Sequence, residues 1–130
     1  MSDERQPGEL PSAKLPPAVR EFLNQVIQHS LMRFDILRFF YHNPYAILTI
    51  SDMTIWMSLE ERPLAESLQQ LAALGLLSQS HASSAFILTT DPERRRQLTA
   101  FFGYLEENPE LARQLRHELR RRLETKQDGS

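Results

Sequence analysis

The side chains able to do acid–base, nucleophilic or metal chemistry are few and scattered. His29, His42, His81 and His117 form no His-x-x-x-His pair, and His117-Glu118 lacks the second histidine of a zinc-binding helix. Each reads as a surface or helix-end residue. The absence of cysteine excludes a thiol nucleophile, thiolate-bound zinc and a disulfide scaffold. Glu60-Glu61 and Glu106-Glu107 are sequence neighbours whose side chains diverge on a helix, so neither pair shares a proton. Glycine stands only at Gly8, Gly75, Gly103 and Gly129, too few for a phosphate loop or a dinucleotide fingerprint. The expectation is a protein that is not an enzyme and carries no metal or cofactor. Phe34, Phe39, Phe40, Tyr41, Trp56, Phe86, Phe101, Phe102 and Tyr104 are expected to pack a core rather than line a ligand pocket, and no residue names an effector.

Charge is the chemistry that remains. The 130 residues carry 15 Lys and Arg against 17 Asp and Glu, a formal net charge of −2, so any nucleic-acid binding must be local. Residues 1–90 hold six basic and nine acidic side chains, and residues 91–130 hold nine and eight. Arg94-Arg95-Arg96 opens a helix, where each cation opposes the macrodipole at about 0.3–1 kcal/mol. The triplet therefore either meets an external anion or is a solvated charged turn. Arg120-Arg121-Arg122 lies near a helix C-terminus with Glu118 and Glu124 close by, where pairing within the helix accounts for it.

The elements that must position these residues follow from spacing. Residues 1–17 hold four of the eight prolines and few large apolar side chains, and read as a flexible tail without a secretion signal. No apolar run is long enough to span a bilayer, and a cytoplasmic location is expected. One domain over 18–130 follows, with a core at 30–90 and a helical extension at 91–126. Val19, Phe22, Leu23, Val26 and Ile27 predict a first helix from Pro17 to near His29, and Leu31, Phe34, Leu37, Phe40 and Tyr41 a second, capped by Ser30 and stopped by Pro44. Ala46 to Ile50 reads as a short strand, and Ser51-Asp52 as the cap of a third helix through Met53, Ile55, Trp56 and Met57.

A fourth helix begins between Glu60 and Pro63, buries Leu64, Leu68, Leu71 and Leu74, and ends at Gly75. Residues 76–80 and 85–89 flank His81 to Ser84 as a hairpin. Thr90-Asp91-Pro92-Glu93 opens a fifth helix with Leu98, Phe101, Phe102 and Leu105 inward, and Asn108-Pro109-Glu110 restarts the chain as a sixth.

This order resembles the winged helix-turn-helix, in the regulator branch around the ArsR, MarR and PadR families. Met32 to Phe40, Thr49 to Met53 and above all Leu68-Gln69-Gln70-Leu71-Ala72-Ala73-Leu74-Gly75-Leu76-Leu77 carry the resemblance. It spans about residues 30–90. It implies a mainly α fold with a small β-hairpin wing and flanking N- and C-terminal helices. It also implies a DNA-binding transcriptional regulator that works as a homodimer. On that reading Arg62, Glu66, Ser67, Gln69 and Gln70 face the bases and His81 and Ser83 lie in the wing tip. Arg94, Arg95 and Arg96 then hold phosphates.

The dimer surface would be Phe22, Phe101, Leu111, Leu115, Leu119 and Leu123, unless the leucine stripe folds back on Phe22, Leu23 and Val26 of its own chain. The wing tip, however, has no Lys or Arg. A winged helix repurposed to dock another protein, without DNA, is the alternative.

Overall fold

A computed structural model describes residues 11–128, with side chains described as far as Glu124. The described residues are mainly helical, with one two-stranded antiparallel sheet. Two compact units divide the chain, with breaks at Leu31/Met32 and Thr99/Ala100. The central unit is Met32–Thr99; the terminal unit joins the chain before Met32 to the chain from Ala100. The single domain expected over 18–130 is therefore resolved into an inserted unit and its host.

In the terminal unit, Pro11–Lys14 forms a 3-10 turn and α1 spans Pro17–Phe22, with proline at its first position, where no hydrogen bond is lost. The helix continues as a π turn over Leu23–Ile27 and stops at Gln28 and His29, both with positive φ. Val19, Phe22, Leu23, Val26 and Ile27 are buried, as their spacing predicts. Phe22 stacks on Phe101 at 5.0 Å between centroids, and Phe101 meets Phe102 edge-on at 4.9 Å.

The flexible tail expected over residues 1–17 needs correction where it is described. Leu15 is buried, and Ser12 is held by Glu118, its N–H and hydroxyl both donating to that carboxylate at 3.1 and 3.0 Å. A partner 106 positions away supplies the ordering energy that the segment's composition lacks. The rest of that expectation, residues 1–10, lies outside the described residues.

In the central unit, α2 runs Leu31–His42 and buries Phe34, Ile36, Leu37 and Phe40. The strand expected at 46–50 is reduced to a single bridge: Leu48 exchanges both backbone bonds with Phe86, at 3.2 and 2.8 Å. Ile50 instead begins α3, Ile50–Met57. The cap is Thr49, two residues before the expected Ser51. Its hydroxyl accepts from the Asp52 N–H and the Asp52 carboxylate accepts from the Thr49 N–H, both at 3.1 Å. That capping box satisfies two orphan donors and outweighs the β preference of Ile50.

A left-handed Ser58 turns the chain into α4, Glu61–Ala73. At its end the Leu76 N–H reaches the Leu71 carbonyl and the Gly75 N–H reaches that of Ala72, each at 3.0 Å. This is a Schellman closure, and it requires Gly75 at φ +84°. β1 (Leu77–Gln79) pairs with β2 (Phe86–Leu88) in register Leu77 to Leu88, and bonds from Thr89 to Leu76 and from Ser80 to Ala85 extend the ladder. Asp91 caps α5 (Pro92–Glu107), accepting from the Arg94 N–H at 2.9 Å, and α6 spans Pro109–Asp128.

Candidate functional site

The residues expected to read a duplex all belong to the central unit. Leu64, Leu68 and Leu71 turn one stripe of α4 inward, and Arg62, Glu66, Gln69 and Gln70 are exposed on the rest of it. Ser67 is a correction: it is buried, because it stands three residues after Leu64 and four before Leu71, on the inward stripe. His81 and Ser83 are exposed at the hairpin tip, where the Ser84 N–H donates to the Ser80 carbonyl at 2.9 Å.

Both glutamines are already engaged. Arg33 of α2, itself buried, donates to Gln70 Oε1 at 2.6 Å, and burial lowers its pKa from the ordinary arginine value. Gln69 donates to Gln79 Oε1 at 3.3 Å, and Gln79 donates to the Ser84 carbonyl, so a short amide chain ties α4 to the hairpin. Two-point reading of adenine needs the oxygen and the amide nitrogen of one side chain together. Gln70 has lent the first and Gln69 the second.

The arginine triplet has internal partners too. Arg94 donates to Gln97 at 2.9 Å, and its Nε lies 3.8 Å from where a side chain on Gly75 would begin, which sets a cation against the C-terminal end of α4. Arg95 Nε donates to the Thr89 carbonyl at 2.5 Å. Arg96 pairs with Glu93 on the exposed side of the same turn. Three cations at a helix N-terminus, costly for α5 alone, thus serve the end of α4, the end of β2 and an acid one turn back. Between Met32 and Thr99 the sequence has six Arg, no Lys and seven Asp or Glu, and four of the six arginines are these internally bonded ones.

What the sequence reading missed is apolar. Trp56, expected with the core, is 73% exposed and Ile55 beside it 78%, and Tyr45 and Ile47, just before α3, are 86% and 67% exposed. Ile50, Met53 and Met57 define the inward stripe of α3, at spacings of three and four. A helix of eight residues has no second inward face for Ile55, two positions after Met53. That count was the available signal.

In the terminal unit the expected dimer surface is largely spent inside one chain. Phe22, Phe101, Leu115 and Leu119 are buried, Leu111 is half-buried, and Leu123 alone of the six is exposed, at 44%. Most of the leucine stripe is therefore covered within one chain.

A separate polar cluster sits in this unit. Glu118, 6% exposed, accepts from Ser12 and from Arg122 at 3.3 Å. His29 shares a 2.8 Å hydrogen bond with Asn24 through Nε2, while its buried Nδ1 has no partner. Burial, and then the charge of Arg122, lower the His29 pKa from 6.5, with Glu118 opposing them. Among the described residues no group of three acids or histidines is placed to hold a metal ion, and no helix is long and apolar enough to cross a membrane. Comparison with known proteins gives no match to a family model, a curated protein or a solved structure.

Proposed function

We propose that the central unit is a winged-helix-type module that docks on protein, with α3 as its contact element. The carrying observation is the exposure of Ile55 and Trp56 on α3, with Tyr45 and Ile47 beside it in sequence. Large aromatic and aliphatic side chains left in water on a small unit mark association surfaces, and Trp and Tyr are the residues that most often dominate binding energy. The cations support the same reading. Phosphate binding draws on Lys and Arg that reach outward, and Arg33, Arg94, Arg95 and Arg96 are turned to internal acceptors while the hairpin tip has none. Fold by itself does not decide the matter, because function resides in the site.

One observation favours the second reading, a DNA-binding regulator that works as a homodimer. The order α2, bridge, α3, α4, hairpin, with Leu48 bridged to Phe86 of β2, agrees with the winged-helix order that the sequence resembles. Fluorescence anisotropy of a labelled mixed-sequence duplex, at low and then raised salt, separates the two. Docking on protein expects no binding at low salt. Binding that weakens steeply with salt would overturn it in favour of the regulator.

A further inference from the structure

We infer that the face of α3 around Trp56 receives the arginine-rich end of α6 from a second copy of this chain. The inference rests on the docking reading and names its occupant. The stripe of α6 runs through Leu115 and Leu119, both fully buried, to Leu123, which is 44% exposed, so the stripe outruns its cover in the last described turns. Arg120 stands one turn before Leu123 on its side of the helix, Arg121 and Arg122 extend the charge around the same turn with Glu124 after it, and all four are exposed, Arg122 also being paired to Glu118 at 3.3 Å. The end of α6 is therefore an amphipathic segment with a leucine centre and a cationic rim.

The α3 face has the opposite rim. Glu60 and Glu61, both exposed, follow Trp56 within five residues, and Asp52, half-buried with its carboxylate closing the α3 capping box, adds its charge one turn before it. Pairing α6 with α6 would set three arginines against three, and pairing α3 with α3 would set acids against acids. Only the cross pairing matches charge to charge and leucine to tryptophan. Each chain carries one of each surface, and we take the exchange as reciprocal about a two-fold axis, which would close at a dimer.

Light scattering coupled to size-exclusion chromatography of the full chain, over a concentration series at low and raised salt, tests this. Trp56 is the sole tryptophan, so its emission reports the same event directly. The expected result is a reversible dimer that raised salt weakens, with Trp56 emission moving to the blue as it forms. Trp56→Ser, and Arg120→Glu with Arg121→Glu, each weaken it about tenfold or more. Adding Glu60→Arg and Glu61→Arg to the second variant restores it. All these positions are exposed, so circular dichroism checks that the variants stay folded, and Ile55→Ser serves as a second truncation. A monomer at every concentration overturns the inference, as does a dimer indifferent to these changes or open-ended growth. With a monomer, the duplex titration still decides the docking reading on its own.

Discussion

Removing the Glu118 carboxylate should destabilise the terminal unit by an amount that its hydrogen bonds set. In Glu118→Ala the buried Ser12 loses acceptors for its N–H and its hydroxyl, at 3.1 and 3.0 Å in the wild type. Each buried donor left unsatisfied costs about 1–3 kcal/mol. Arg122 is half exposed, so its share of the pair stays under about 1 kcal/mol. The sum is about 2–7 kcal/mol, a large fraction of the roughly 5–15 kcal/mol that holds a domain of this size. Glu118→Gln keeps one acceptor oxygen and should lose about 1–2 kcal/mol.

Urea unfolding followed by far-ultraviolet circular dichroism reads the change as a lower midpoint at constant slope. The exposed Trp56, in the central unit, is the wrong reporter for this transition. Amide exchange at Ser12 reads the change locally. A double-mutant cycle of Ser12→Ala with Glu118→Gln should give a coupling of about 1–2 kcal/mol. A midpoint shift in Glu118→Ala worth less than about 0.5 kcal/mol, or strict additivity in the cycle, would refute the claim that this bond orders the N-terminal segment.

Three further outcomes are expected. Because the folded His29 pKa lies below 6.5, the unfolded chain binds the proton first as pH falls. Stability is then full above 6.5 and declines below it until the folded pKa is reached. His29→Asn, which tolerates the left-handed backbone, should flatten that slope in a series of melts, and Glu118→Gln should lower the His29 pKa further in an NMR titration. Gly75→Ala should destabilise the central unit by about 1–2 kcal/mol through the left-handed backbone alone, since the nearest atom to the new methyl is Arg94 Nε at 3.8 Å. Arg95→Ala, which leaves the Thr89 carbonyl without its charged donor, should cost about 1–3 kcal/mol against under about 1 kcal/mol for Arg96→Ala. Equal melting temperatures for those two variants would count against the assigned contacts.

Local signals were legible in the sequence and long-range ones were not. Gly75 announced the end of α4, Asp91-Pro92 the start of α5 and Asn108-Pro109 the start of α6, because each is a conflict or agreement between neighbours. The strand at Ala46 to Ile50 failed for a local reason, since Thr49 and Asp52 close a capping box that a reading of β-branched residues overlooks. Ser12 gave no sign of its bond to Glu118, whose partner lies in another helix. The arginine triplet looked anomalous only until the C-terminal turn of α4 and the Thr89 carbonyl were beside it. Periodicity leaves Ile55 off the inward stripe of α3 and does not say that Trp56, three positions after Met53, stays in water.

The division of the chain also has a temporal side. Residues 32–99 form a continuous unit, whereas its host needs both flanks. A ribosome delivers the first flank well before the second, so Phe22 waits for Phe101 while the inserted unit is already complete. Closing the host then means shutting a loop, and a loop whose interior has already folded has less entropy still to lose. The insert thus acts as a brace for the assembly of its host. Destabilising Gly75 should therefore slow the refolding of the host, although no atom of Gly75 belongs to it.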